Sequence, residues 1–340
     1  MASSSSAPLR IGILGTARIA RLFAAGVKSS SKVVITAVAS RDEGKARAFA
    51  REIGTQHAHS SYEAMLADVA IDSVYIPLPN NLHAPWSIRA AEAGKHVLCE
   101  KPLAASAAEA RAMFDAAQRN RVYLAEGYPY RAQPQTLKLR ELLAAGAIGR
   151  VQTIQASFGF PLADAANIRF DPALAGGSLM DAGSYPVSLV RMIAGERPRR
   201  AYATALWADS GVDRTVVGSL EFPNGVLAQI ACSFATARHR HALIVGDAGC
   251  IETTFLNDTS GTLPPLLQLQ RGTGLEITEE TIRTAAINGF LAEAEAFHDL
   301  VRHGWESWTG ATPQESIDIM LALDALAASA RRGVAVEITG

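Results

Sequence analysis

Two hydrophobic rhythms divide this chain. Through the first 125 residues, short apolar runs alternate with longer segments whose apolar positions recur every three or four residues. The runs Leu9–Leu14, Val33–Ala39, Asp72–Ile76, Val97–Cys99 and Val122–Ala125 predict buried strands. Between them, Ala17–Val27, Arg41–Ile53, Ala84–Ala93 and a segment running from a Ser106 cap to Asn120 predict helices. The second of these sets Ala46, Phe49, Ala50 and Ile53 on one face. Ser61 predicts the cap of a further short helix through Leu66, with Ala64 where a capping box would hold Glu. Pro77 and Pro79 stop the third strand, and Gly94 stands where a helix C′ glycine belongs. Strand and helix in alternation predict a parallel, doubly wound sheet.

The rhythm changes after a helix expected over Leu137–Ala145 and closed by Gly146. Val151–Phe160, Arg199–Trp207, Thr215–Phe222, Val226–Phe234 and His241–Val245 read as strands in series, with Pro223-Asn224-Gly225 as a hairpin signal. One helix, Ser184–Ala194, interrupts them, and helical spacing returns near 290–303 and 313–331. The expected fold class is therefore α/β: an N-terminal parallel sheet plus a C-terminal α/β domain with an open, mostly antiparallel sheet. The expected division is a disordered tail over 1–7, a nucleotide-binding domain over 8–126 and a substrate and oligomerisation domain over 127–315. A helix and strand over 316–340 then pack back on the first domain.

Composition narrows the function. The chain has 340 residues, 49% hydrophobic and 19% charged, with a net charge of −1. That is the balance of a folded protein without the basic surplus that nucleic acid or an anionic membrane would attract. Three widely spaced cysteines, Cys99, Cys232 and Cys250, form no CxxC pair, which suits a reducing compartment and a cytoplasmic location. Ser3 to Ser6 lack the basic and apolar regions of a secretory signal, and no apolar run approaches the ~18 residues of a membrane span.

Chemistry concentrates at strand ends. Gly12-Ile13-Leu14-Gly15-Thr16-Ala17 joins the first strand to the first helix. Gly12 allows a tight turn, and Gly15 lets the backbone approach a pyrophosphate lying on the helix N-terminus. The second strand ends at Ser40-Arg41-Asp42. A hydroxyl and a guanidinium where an NAD enzyme would place Asp or Glu suit the 2′-phosphate of NADP. Asp42 is read as part of the next helix's first turn. The strand Val97–Cys99 ends in Glu100-Lys101-Pro102, so Lys101 projects from a strand's carboxyl end, where open α/β sheets bind ligands. The pairs His57/His59 and His239/His241 lack a third ligand at a recognisable spacing, so no metal is expected.

With these residues in place, the chain resembles the glucose–fructose oxidoreductase / inositol dehydrogenase family (Gfo/Idh/MocA). The resemblance rests on the glycine turn at Gly12, Pro79-Asn80 with His83, and Gly94-Lys95-His96-Val97 leading into Glu100-Lys101-Pro102. It continues through Tyr130-Arg131, Gly146-Ala147-Ile148-Gly149 and Gly176-Gly177-Ser178-Leu179-Met180-Asp181-Ala182-Gly183-Ser184-Tyr185-Pro186. It implies a Rossmann domain, a catalytic lysine at Lys101, and an acid–base motif at Asp181 and Tyr185. Tyrosine in place of histidine points to the branch of glucose–fructose oxidoreductase, dimeric dihydrodiol dehydrogenase and NADP-linked xylose dehydrogenase. In that branch an arginine before the Gly-Gly-Ser segment helps hold the cofactor. Arg169 matches it, with Ile168 where an aromatic residue is expected.

The implied activity is NADP-dependent hydride transfer to or from a sugar, at aldose C1. The alternatives are an aldose–aldose oxidoreductase that never releases NADP and a cofactor-sensing regulator, against which retention of Lys101 and Tyr185 weighs. A free tyrosine titrates near about 10, and a neighbouring ammonium favours its phenolate, so Lys101 and Tyr185 form a coherent acid–base pair, with Asp181 orienting the substrate or the tyrosine. The expected cofactor site comprises Gly12, Gly15, Thr16, Ala17, Arg18, Ser40, Arg41, Lys45, Pro77, Leu78, Asn80, His83, Glu100, Lys101 and Arg169. Lys101, Tyr128, Arg131, Phe160, Asp181 and Tyr185 are expected to meet the carbohydrate. The protein is expected to be a homodimer, or a dimer of dimers, paired through the open sheet.

Overall fold

Six parallel strands build the first layer. The computed structural model describes residues 7–55, 57–261 and 265–339, so the expected tail lies, through residue 6, outside the described residues. In chain order the first half runs β1 (Leu9–Leu14), α1 (Arg18–Val27), β2 (Val33–Ala39), α2 (Glu43–Ile53), β3 (His57–His59), α3 (Tyr62–Leu66) and β4 (Ser73–Ile76). It continues with α4 (His83–Glu92), β5 (His96–Glu100), α5 (Ala107–Arg119) and β6 (Leu124–Gly127). The strand order β3-β2-β1-β4-β5-β6, parallel throughout, reverses between β1 and β4. That is the crevice where doubly wound sheets bind ligands. Local chemistry fixes the helix starts: Ser61 accepts from Ala64 N and Ser106 from Glu109 N. Asp42 is the N-cap of α2 and accepts from Lys45 N at 3.0 Å, which corrects its reading as a first-turn residue.

The second half runs α6 (Pro134–Ala144), β7 (Val151–Gly159), α7 (Ser184–Ala194), β8 (Arg200–Trp207), β9 (Asp213–Glu221), β10 (Leu227–Ser233) and β11 (His239–Gly246). Then come β12 (Gly249–Thr253), β13 (Leu266–Arg271), β14 (Thr278–Arg283), α8 (Gly289–His303), α9 (Pro313–Arg332) and β15 (Val336–Glu337). The sheet order is β14-β13-β12-β11-β7-β10-β9-β8-β15, antiparallel except where β7 runs parallel to β10. Ala201, Ala203, Val216, Leu220, Ala228 and Ile230 bury one face in the core shared with Leu323 and Leu326 of α9. The other face leaves Tyr202, Leu206, Val217 and Leu227 exposed.

Helix α8 departs from the expected division at residue 315. Phe290, Ala294, Phe297 and Leu300, spaced for one helical face, join Leu9, Ile11, Ile13, Phe23 and Val38 in a single core. Helix α8 thus covers the first domain, because that apolar stripe completes the parallel sheet's cover, while α9 lies against β8 and β15 pairs with β8 in the second sheet. Strands β12 to β14 lie beyond the strands the sequence predicts; β14 has no apolar alternation to show, being exposed except at Ile282. Among the described residues no helix is long and apolar enough to cross a membrane.

Candidate active site

The cofactor cradle forms where β1 turns into α1. Gly15 takes a left-handed φ of +104°, and a Cβ there would lie 3.0 Å from Leu78 Cδ2. Only glycine keeps the backbone both turned and open at this point. Helix α1 starts after Ala17 with no side-chain cap and no acidic residue in its first turn, so its N–H groups and dipole remain available to a phosphate. Gly15, Thr16, Ala17, Ser40, Arg41, Asp42, Lys45, Tyr62, Pro77, Leu78 and Pro79 line a cavity of about 440 Å³. Arg18 is exposed beside it at the helix start. Arg41 and Lys45 supply cations at the end of β2, while one oxygen of Asp42 is engaged as the α2 cap. These residues fit a dinucleotide carrying a 2′-phosphate better than one carrying a free 2′-hydroxyl. Gly12, by contrast, does not face the cavity: a Cβ there would meet Met65 Sδ at 2.6 Å, so its lack of a side chain serves close packing of β1 on α3.

Three expected cofactor residues are committed elsewhere by hydrogen bonds. Asn80 donates its amide to Ala175 O at 2.9 Å, tying the loop after β4 to the second domain. His83 is buried, with Nδ1 2.8 Å from Pro102 O and Nε2 2.8 Å from Leu78 O. Burial first, and the Lys101 charge in addition, outweigh the two carbonyls and lower its pKa to about 4, so the ring is neutral and its single N–H donates to one of the two carbonyls. Glu100 is also buried and accepts from Tyr75 Oη at 2.5 Å, pointing into the first domain's interior. Burial pushes its carboxyl up despite Lys101 and that bond.

The charged centre lies between β5 and α7. A single π-type turn, Leu179–Gly183, precedes α7 and carries Asp181; Tyr185 follows four residues later, on the same face. Lys101 Nζ donates to Asp181 Oδ1 at 3.0 Å and to Asp181 O at 3.1 Å. Arg169 Nε donates to Asp181 Oδ2 at 2.7 Å. Burial favours the neutral carboxyl, but Lys101 and Arg169 outweigh it and hold Asp181 at about 2. Burial likewise opposes the Lys101 ammonium, and Asp181, Tyr185 and Glu100 together raise its pKa above the lysine norm. Across the neutral range the centre is therefore ionised, two cations to one carboxylate. Lys101 Nζ lies 4.9 Å from the centroid of the Tyr185 ring, whose side chain is buried.

Two expected substrate residues are taken up by packing and ion pairing instead of lining the cleft. Tyr128 is buried, donates to Ser184 O at 3.3 Å and packs edge-on against Tyr185. Arg131 is buried too, and its guanidinium donates to Glu315 Oε1 at 2.6 Å, at the capping box of α9. The turn after β6 runs under α8 and α9 instead of along the cleft, so both side chains serve packing and ion pairing. Phe160 is partly exposed just after β7, its ring tilted against those of Phe158 and Phe234.

Two further side chains at Tyr185 lie outside the expected site. Arg240 of β11 stands 3.9 Å over the ring, and Asn257 Nδ2 donates to the phenolic oxygen at 2.7 Å. One signal was legible: Arg240 shares the inward phase of β11 with Ala242 and Ile244, an unusual position for a charge. Among the described residues no group of three or more His, Cys, Asp or Glu is placed to hold a metal.

Comparison with known proteins agrees with this fold. Residues 9–128 match the family described as oxidoreductase family, NAD-binding Rossmann fold, and residues 136–252 match the GFO/IDH/MocA C-terminal domain. The chain is 41% identical to the D-xylose 1-dehydrogenase (NADP(+)) 2 of Haloferax volcanii, covering 97% of this chain and 100% of that protein. Among solved structures, an aldose-aldose oxidoreductase from Caulobacter crescentus, complexed with glycerol, superposes with a TM-score of 0.87 at 26% identity, covering 97% of this chain and 99% of that one. A 3-ketoreductase from Actinomadura kijaniata, in complex with NADP and TDP-benzene, superposes with a TM-score of 0.84 at 28% identity, covering 95% and 98%. With both halves matched and one relative aligned from end to end, this chain belongs to the Gfo/Idh/MocA family of oxidoreductases.

Proposed function

We propose that the protein is an NADP-dependent aldose 1-dehydrogenase, reversible as a reductase, acting on a xylose- or glucose-like sugar. The observation that carries this reading is the ionised Lys101–Asp181–Arg169 centre beside the buried phenol of Tyr185. NADP held by the Gly15 turn and by Ser40 and Arg41 would supply the hydride acceptor for the sugar's C1. The C1 hydroxyl proton passes to Tyr185 Oη, and the sugar leaves as its lactone. Lys101 favours the phenolate that takes this proton, while Asp181 orients the ammonium, and Arg169 completes the carboxylate's pairing. Phe160 and the aromatic rings beside it offer an apolar wall for the sugar's C–H face. A screen of aldoses with NAD and NADP tests the reading; no reduction of either cofactor by any aldose would overturn it.

A second reading is favoured by the whole-chain likeness to an aldose-aldose oxidoreductase: two sugars cycled on NADP that never leaves. Extensive dialysis separates the two. Nicotinamide absorbance should be lost from a dehydrogenase and retained by the cycling enzyme.

Cofactor choice resides in Ser40 and Arg41. Arg41→Ala should raise KM for NADP about ten- to hundredfold and leave KM for NAD nearly unchanged, because only NADP presents a 2′-phosphate to the guanidinium. Steady-state kinetics with both cofactors checks this, and equal losses would contradict it.

The open sheet face supports a homodimer. Tyr202, Leu206, Val217 and Leu227 are exposed on one face of β8, β9 and β10, and exposed apolar groups in that arrangement favour self-association. Light scattering at micromolar concentration should return twice the chain mass, and Val217→Lys should return the monomer. Monomer mass for the unmodified protein would remove the idea. The unpaired Cys99, Cys232 and Cys250 fit a cytoplasmic enzyme.

A further inference from the structure

Arg240 is a buried cation without a carboxylate. The residue is 9% exposed, and among the described residues no Asp or Glu oxygen lies within ion-pairing distance of it. Its guanidinium instead stands over aromatic rings, 3.9 Å from the centroid of Tyr185 and 4.0 Å from that of Phe158. Nη1 donates to Phe255 O at 2.9 Å and to Asn257 Oδ1 at 3.0 Å. A buried guanidinium whose only polar partners are neutral is costly to keep unless a negative charge forms nearby. The nearest group able to supply that charge is the phenol beneath it.

The hydrogen bonds have a fixed polarity. Arginine can only donate, so the Asn257 atom facing Arg240 must be the carbonyl oxygen. The amide nitrogen is then the atom 2.7 Å from Tyr185 Oη, and it must donate there. The phenolic oxygen accepts on that side, so its own proton is turned away from Asn257 and remains transferable. When the proton leaves, the Asn257 donor stays in place for the oxyanion.

We propose that Arg240 and Asn257 are positioning residues for the acid–base step: Arg240 fixes the orientation of Asn257, and together they hold Tyr185 as a proton acceptor. This rests on the reading of Tyr185 as the proton partner. The charged and titratable groups facing Tyr185 are Lys101 from β5, Arg240 from β11, Arg169 and Asp181 from the segments before α7, and Tyr128 and Tyr130 from the turn after β6. Of these, only Arg240 pairs with no carboxylate and lies over the ring itself. Lys101 and Arg169 share Asp181, so much of their charge is already answered.

The test is a tyrosinate titration that needs no turnover. Ultraviolet difference absorption between each protein and its own Tyr185→Phe version reports ionisation of Tyr185 alone. In Arg240→Met and in Asn257→Leu the midpoint should rise by about one pH unit, the equivalent of tenfold in phenolate at a given pH. The rising limb of the kcat profile should move with it, while KM for NADP stays within twofold. Arg240→Lys should fall between Met and wild type. A midpoint unmoved in both Met and Leu variants would overturn the proposal. If Arg240→Met does not fold, Asn257→Leu, which leaves the stacked guanidinium in place, decides alone. Near-normal turnover in Tyr185→Phe would instead defeat the underlying reading, whatever the titration shows.

Discussion

Tyr185→Phe should lower kcat for aldose oxidation by ~10²–10⁴, the usual worth of a positioned acid–base group, while folding and NADP binding survive. The substitution removes one oxygen and keeps the ring that packs against Tyr128, Tyr130 and Phe158. The core around α7 therefore has little reason to rearrange. What is lost is the atom that accepts the hydroxyl proton and the hydrogen bond from Asn257. Stopped-flow kinetics beside a cofactor-binding titration checks the split. Turnover within a few-fold of wild type would show that the proton goes elsewhere.

Lys101→Met should cost turnover on a similar scale, and the double variant should be little worse than either single one. Lys101 acts through the proton equilibrium of Tyr185, so once the phenol is gone the ammonium has nothing left to assist. The pH dependence carries the sign. Oxidation needs the unprotonated acceptor, so the rate rises with pH. Lys101 stays protonated, because Asp181, Tyr185 and Glu100 outweigh burial and raise its pKa. Asp181, held at about 2, stays ionised. Removing the ammonium withdraws one of the cations favouring phenolate, so the rising limb should move to higher pH, and turnover should recover partly in alkali. A fall that is equal at every pH would assign Lys101 to substrate binding only. Additive losses in the double variant would mean that the two groups act independently.

Much of this site was legible because it sits at strand ends that the sequence marks. Val97–Cys99 is apolar and is followed at once by two charges and a proline, which left Lys101 no place but the carboxyl edge of the sheet. Ser61 and Ser106 announced helix starts through short-range hydrogen bonds that need no knowledge of the rest of the fold. Residues whose setting depends on distant chain were not legible. Arg131 looked like a cleft residue because it follows the last parallel strand, yet its partner Glu315 lies 184 positions away. His83 sits at the start of its helix as expected, but only the fold shows both ring nitrogens closed off by Leu78 and Pro102 carbonyls. Asp42 read as a first-turn residue lies one position from its actual place, the N-cap, which only its bond to Lys45 N reveals. Arg240 and Asn257 meet Tyr185 across separate strands and a loop, and nothing in local spacing links them.

The most direct test follows the hydride itself. An aldose carrying deuterium at C1 is incubated with the purified enzyme and NADP, and the reduced cofactor is weighed by mass spectrometry. NADPH one mass unit heavier than that formed from the unlabelled sugar is the predicted result, with lactone formed in equal amount. Reduced cofactor of ordinary mass, or none formed from any aldose, would contradict hydride transfer from aldose C1.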